Sequence, residues 1–209
     1  EKTSLVRIKH DGSIENLVQL PEIVENFGIH ISGNLAVWNE IHPDRRWSKQ
    51  SWSNIIIFNI EDESRQQITR NKRYYYPSIS PKGNTIVTVE FNEKRDCFLV
   101  IIDARNGNVI NRISSESIIM HPRWSPNGKQ IVFISQSYDG RSIKVLNISD
   151  GNIKVVKPES NEEIFRPILY ENFVIYESPI SGIDNLYAID QSSREIFRIV
   201  SSKISATNA

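Results

Sequence analysis

The segment Pro77-Ser78-Ile79-Ser80-Pro81-Lys82-Gly83-Asn84-Thr85-Ile86-Val87 returns as Pro122-Arg123-Trp124-Ser125-Pro126-Asn127-Gly128-Lys129-Gln130-Ile131-Val132, an offset of 45 from Pro77 to Pro122. Self-similarity at such a spacing marks a chain assembled from repeated supersecondary units. A further step of 45 from Pro122 lands on Pro167, in Arg166-Pro167-Ile168-Leu169-Tyr170, just ahead of the apolar run Phe173 to Tyr176. A second marker keeps time independently: Asn59, Asp103, Asn147 and Asp190 each end an apolar run and precede a polar turn, at separations of 44, 44 and 43.

Each unit reads as four short strands. In the third copy these are His121 to Ser125, Gln130 to Ser135, Ser142 to Ile148 and Ile153 to Lys157, joined by Pro126-Asn127-Gly128-Lys129 and Ser149-Asp150-Gly151. Asn-Gly and Asp-Gly between apolar segments are hairpin signals, because these residues tolerate positive φ. The middle strands are apolar almost without alternation, as in Ile55-Ile56-Ile57-Phe58, Phe98-Leu99-Val100-Ile101-Ile102 and Ile131-Val132-Phe133-Ile134. Successive side chains on a strand point oppositely, so continuous apolarity requires burial on both faces. The fourth strands, such as Arg65-Gln66-Gln67-Ile68-Thr69 and Asn108 to Ile113, are wetter. Sheets buried between neighbours, each with a polar outer strand, are the blades of a β-propeller.

The expected fold is therefore all-β, a partial β-propeller with four complete four-stranded antiparallel blades at 23–70, 71–115, 116–160 and 161–203. Half a blade precedes them at 1–22, and 204–209 enters a further first strand. Ile14 to Phe27 carries near-helical apolar spacing, but Pro21 interrupts it and leaves room for no more than a single turn. Beginning and ending in mid-unit, the chain is expected to be a fragment whose open blade faces are covered by missing blades or another chain.

In 209 residues, Lys plus Arg and Asp plus Glu balance at 25 each. No overall field draws the chain to nucleic acid or an anionic membrane. The basic aromatic stretch Arg70-Asn71-Lys72-Arg73-Tyr74-Tyr75-Tyr76 is read as the entry to a strand, its tyrosines packed between blades, rather than as a nucleic-acid platform. No apolar run approaches the ~20 residues that span a bilayer. Cys97 is alone, which excludes an internal disulfide and a thiolate zinc site.

Catalytic signatures are missing. There is no Gly-x-Ser-x-Gly elbow and no His-Glu-x-x-His helix. His10, His30, His42 and His121 are read as surface or turn residues, and Asp139-Gly140 and Asp150-Gly151 as turns rather than calcium loops. Neither a catalytic residue, a metal nor a cofactor is expected.

The connections between second and third strands are longer than the stereotyped turns: Asn39 to Ser53, Glu90 to Asp96, Gln136 to Arg141 and Ser178 to Asp184. In a propeller they share one face, and loops on a rigid scaffold are where binding residues concentrate. The longest contains Arg45, Arg46, Trp47 and Trp52, side-chain types enriched in binding hot spots. Arg95, Asp139, Arg141 and Asp184 complete the candidate set from the other three. The expected ligand is a protein or peptide.

At its Ser-Pro-x-Gly-x-x-Ile-Val motifs the chain resembles the WD-repeat-like blades of TolB-type propellers. Residues 73–90 and 119–135 match well, 161–203 match with a shortened turn, and 23–70 are looser. Ile164-Phe165-Arg166-Pro167 followed by Gly182-Ile183-Asp184-Asn185-Leu186-Tyr187-Ala188-Ile189-Asp190 looks like propellers of large multi-domain bacterial envelope proteins. Trp38-Asn39-Glu40 with Pro43-Asp44-Arg45-Arg46-Trp47 fits the same group. The resemblance implies a periplasmic or envelope-associated interaction module. Similar blades also precede peptidase domains, as in prolyl-oligopeptidase-like and tricorn-like enzymes, so a substrate gate and a plain structural spacer are the other expectations.

Overall fold

The repeated motif works through a small set of hydrogen bonds. In the computed structural model, which describes residues 3–21, 28–44, 46–47 and 50–207, Ser80 and Ser125 each open a tight turn. Gly83 N–H donates to the Ser80 carbonyl and Gly128 N–H to that of Ser125, both at 2.9 Å. Both glycines have positive φ, while proline at the second turn position presets the backbone. The serine hydroxyls then accept the N–H of Thr85 (3.2 Å) and Gln130 (2.9 Å), locking the returning strand. The second marker is an Asx turn in every unit. The side-chain oxygens of Asn59, Asp103, Asn147 and Asp190 accept the N–H two residues on, at 3.0, 2.8, 3.0 and 2.7 Å.

These turns organise eighteen strands among the described residues. β1 (Ser4–Ile8) and β2 (Ile14–Gln19) form a hairpin. Four antiparallel sheets follow in chain order. The first comprises β3 (His30–Ser32), β4 (Leu35–Pro43), β5 (Ser51–Asn59) and β6 (Arg65–Gln67). The second comprises β7 (Tyr74–Ile79), β8 (Thr85–Phe91), β9 (Cys97–Asp103) and β10 (Val109–Ser115). The third comprises β11 (Ile118–Trp124), β12 (Gln130–Gln136), β13 (Arg141–Asn147) and β14 (Ile153–Ser160). The fourth comprises β15 (Phe165–Tyr170), β16 (Phe173–Ser178), β17 (Asn185–Asp190) and β18 (Ile196–Arg198). Each sheet is a simple meander, and each packs face to face on the next. This is the β-propeller arrangement. The near-helical pattern at Ile14 resolves into strand β2; its remainder, 22–27, lies outside the described residues.

The two-faced burial of the middle strands is now explicit. On β8, Ile86 packs toward the first sheet, with Val100 and Ile102 of β9. Val87 and Val89 of β8, with Leu99 and Ile101 of β9, pack toward the third sheet against Ile131 and Phe133. On β12 the alternation repeats, and Val132 and Ile134 meet Val174, Tyr176 and Tyr187 of the fourth sheet. Full burial of a Val, Ile or Leu side chain is worth about 1.5–3 kcal/mol, so these seams are the main cohesion between sheets. The β1–β2 hairpin is joined to the first sheet in the same way, through Leu20, Ala36, Trp38, Ile56 and Phe58.

One glycine is set by a neighbouring sheet. Gly107 (φ 73°), in the β9–β10 turn, comes so close to the first sheet that an added Cβ would lie 2.3 Å from the Ile68 carbonyl oxygen. Gly151, in the corresponding turn of the third sheet, has the same φ but open space around it. Gly151→Ala is therefore expected to cost about 1 kcal/mol from backbone strain alone, and Gly107→Ala about 1–2 kcal/mol more, in urea titrations. Equal losses would show that the turn does not bear on the first sheet.

Candidate functional site

The long connection of the first sheet is shorter than its sequence suggests. Strands β4 and β5 continue in register past Asn39 and Ser53 to pair His42 with Trp52 and Pro43 with Ser51. A projecting two-stranded arm results, with Asp44, Arg46, Trp47 and Gln50 at its tip. Asp44 arranges the tip. Its Oδ1 accepts the N–H of Arg46 (2.7 Å) and Trp47 (3.1 Å), while Oδ2 accepts the Trp52 indole N–H at 3.1 Å. These hydrogen bonds, that of the Arg46 N–H foremost, hold the Asp44 carboxyl below the usual carboxylate range.

Beside the arm lies a groove of about 970 Å³, whose walls include His42, Arg46, Trp47, Trp52, Gln67 and Arg70. Trp47 is 67% exposed, an unusual state for an indole. Trp52 is half-buried, with the Arg73 guanidinium 5.8 Å from its ring centre. Trp47 also borders a shallower depression with Gln50, Arg73 and Glu93, which extends the concave surface toward the β8–β9 turn. The arm is anchored beneath by a buried network. Glu40 accepts the Trp38 indole N–H at 2.8 Å and both its oxygens lie 2.7 Å from one Arg65 nitrogen.

The other candidate residues are spread along the same edge of successive sheets. Arg95 is exposed at positive φ in the β8–β9 turn, two residues from Glu93, which lines the Trp47 depression. Asp139 is exposed in the β12–β13 turn, its N–H donating to Ser137 Oγ. Arg141 lies between sheets: it donates to Gln136 and to the Ile164 carbonyl, and its guanidinium is 5.0 Å from the Phe165 ring centre. Asp184 is half-buried, and its carbonyl accepts the Ala206 N–H. Arg45 lies outside the described residues. Arg46, Trp47 and Trp52 are thus brought together along one groove, while Arg95 lies in the turn that supplies Glu93 to the adjoining depression. Asp139, Arg141 and Asp184 belong to the third and fourth sheets.

A second concave site, unanticipated from the sequence, lies on the propeller axis. The innermost strands β7, β11 and β15 each break register between Tyr75 and Ser78, Met120 and Arg123, and Phe165 and Ile168. At each break a residue of positive φ precedes proline: Tyr76, His121 and Arg166. In the first sheet Gly28 (φ 73°) takes this place, two residues before β3's His30, as Tyr76 is two before Ser78 and His121 two before Arg123. A bulge turns a side chain out of its strand's alternation. These bulges, with Ile29 and Arg123, enclose a cavity of about 160 Å³.

His30 and His121 depart from the expectation of surface or turn residues. Both are half-buried at the axis. His30 Nδ1 accepts the Ile79 N–H (3.1 Å) and His121 Nδ1 accepts the Arg166 N–H (3.2 Å), each bond joining one sheet to the next. Burial first, then Arg123, pushes His30 down to about 3; burial, then Arg123, Arg166 and Arg141, pushes His121 down to about 4. The useful signal in the sequence is the residue before each repeated proline, at the same 45-residue offset (76, 121 and 166). Among the described residues, no group of three or more His, Cys, Asp or Glu is placed to hold a metal ion.

No protein-family profile and no curated protein sequence matches the chain. Solved structures do. A TolB structure from Agrobacterium tumefaciens superposes with a TM-score of 0.71 at 15% identity, covering 91% of this chain and 66% of that one. TolB from Acinetobacter baumannii gives 0.69 at 14%, covering 96% of this chain and 49% of that one. A prolyl endopeptidase gives 0.59 at 8% identity, covering 97% of this chain and 33% of that one. The chain therefore spans less than two thirds of the length of either TolB, and at these identities the likeness is one of fold.

Proposed function

We propose that this chain is a noncatalytic β-propeller scaffold of a bacterial envelope protein, binding a protein or peptide across the β4–β5 arm. The TolB-like fold supports a scaffold. The observation that carries the binding role is the pairing of exposed Trp47 with Arg46 on a tip pre-ordered by Asp44, above a groove large enough for several side chains. An indole held in water gains apolar burial when a partner covers it, and a tip ordered beforehand reduces the entropy lost on docking.

The test is to pan a random peptide library on the protein and measure enriched peptides by fluorescence anisotropy. The Arg46→Ala/Trp47→Ala double variant is expected to bind them at least tenfold more weakly with an unchanged melting temperature. Equal affinity would reject the arm as the site. A substrate gate for a peptidase domain is the second reading, favoured by the superposition on a third of the prolyl endopeptidase. The parent reading frame decides it, since absence of a serine or zinc peptidase signature there eliminates the gate.

A further inference from the structure

The charged and imidazole side chains that line the axial cavity, Arg123, Arg166 and His121, all present donors to it. His30 and His121 each use Nδ1 to accept a backbone N–H. A neutral imidazole with an accepting Nδ1 carries its proton on Nε2, so each ring offers a donor there. Arg123 and Arg166 supply guanidinium groups, which have no acceptor at all. Arg166 is already engaged: its Nη1 donates to Glu177 at 2.7 Å. Arg123 is different. Among the described residues no carboxylate lies within ion-pairing distance of its guanidinium, and no acceptor lies within hydrogen-bonding distance.

The position of Arg123 sharpens the point. Its equivalents in the first two sheets are His30 and Ser78, and each accepts an N–H from the next sheet, Ile79 (3.1 Å) and Trp124 (3.4 Å). A guanidinium cannot make that bond. Its space is provided by Gly28, whose added Cβ would lie 3.9 Å from Arg123 Nη2. Where the other sheets place Tyr76, His121 and Arg166, the first sheet places no side chain. Burial, with Arg166 nearby, draws the Arg123 guanidinium down to about 10. A half-buried cation with no ion pair among the described residues is costly until an anion joins it.

We infer that the axial cavity is a binding site for an oxyanion, a carboxylate or phosphate group, gripped by Arg123 and Arg166 with the Nε2–H group of His121. A cavity of about 160 Å³ admits the anionic group and little more. The ligand is therefore a small free anion or the acidic end of a larger one. This site is separate from the β4–β5 groove, so the Arg46→Ala/Trp47→Ala variant is expected to leave it unchanged.

The test follows the His121 ring resonances by NMR during titration with two probes. One is inorganic phosphate. The other is a Gly-rich peptide ending in Glu with a free C-terminus, paired with a neutral control ending in Gln amide. At least one acidic probe is expected to give saturable shifts at His121, the neutral peptide none. Saturation by phosphate alone identifies a free anion, and by the peptide alone a peptide carboxylate. Arg123→Met is expected to weaken binding at least tenfold. It is also expected to melt no lower than the wild type in anion-poor buffer, since it removes an uncompensated charge. The inference is overturned if no acidic probe saturates, if Arg123→Met binds as tightly as the wild type, or if Arg123→Met unfolds, which would reveal a partner within the fold.

Discussion

Replacing Trp38 with alanine is expected to lower the free energy of unfolding by about 3–5 kcal/mol, the range for truncating a large buried aromatic. Trp38 is 0% exposed and sits on β4 where the β1–β2 hairpin meets the first sheet. Its ring lies 6.4 Å from that of Phe58, and its indole N–H donates to the buried Glu40. Truncation leaves a cavity in that seam and removes one of the hydrogen bonds that hold the Glu40 carboxylate. Arg65 still pairs with Glu40, so the carboxylate is not stranded. Trp38→Phe, which retains most of the bulk, is expected to lose about 1–2 kcal/mol. Urea titration measures the totals. Amide exchange should show protection lost first across Ser4–Ile8 and Ile14–Gln19, because the hairpin rests on this seam. A loss below about 1 kcal/mol for Trp38→Ala would show that the hairpin is not seated there in solution.

The second large effect is acid sensitivity set at the propeller axis. His30 and His121 are held neutral in the folded chain, at about 3 and about 4, whereas the unfolded chain takes up their protons near the ordinary 6.5. For each histidine the folded value lies below the unfolded one, so protonation favours unfolding. The stabilisation is complete above pH 6.5 and is lost as the pH falls toward 4. Each histidine sets a limiting slope of about 1.4 kcal/mol per pH unit in that window. Partial exposure moderates this, and a combined loss of about 2–4 kcal/mol is expected between pH 6.5 and 4.5. The turn carboxylates Asp11, Asp62, Asp150 and Asp190 are also held below their ordinary 3.8, by hydrogen bonds from neighbouring turn residues. Their contribution has the same sign but disappears only at lower pH. The windows are therefore separable. Asparagine can present its carbonyl oxygen where each Nδ1 accepts, so His30→Asn/His121→Asn is expected to be flat from pH 7 to 5. A wild-type stability that is itself flat over that interval would contradict the burial of both rings.

The predictions differ in how far the sequence anticipates them. Trp38 follows the apolar residues Leu35, Ala36 and Val37, but its burial against the β1–β2 hairpin is seen only in the folded chain. The Ser-Pro-x-Gly turns and the Asx markers predict hairpins because their chemistry is local: Ser80 or Asn59 finds its partner within five residues. The β4–β5 arm was only partly anticipated. Glu40, His42 and Trp52 look like loop residues in a linear reading, yet strand pairing continues through them, and the Asn39 amide donates across the ladder to Ser53 Oγ at 3.0 Å. His121 shares its place before a repeated proline with Tyr76 and Arg166, but nothing in the chain shows that these places meet, and His30 has no such marker.

Local periodicity and turn chemistry determined the repeat, the four-stranded units and the burial of their middle strands on both faces. Those properties depend on residues close in sequence, on a two-residue alternation and a recurring offset. Only the tertiary structure decided that Gly28, Tyr76, His121, Arg123 and Arg166 meet. Their convergence depends on the angle at which successive sheets stack about an axis, and on bulges that redirect one side chain per inner strand. Both arise from contacts between units roughly 45 residues apart, which a pattern repeated along the chain cannot encode in advance.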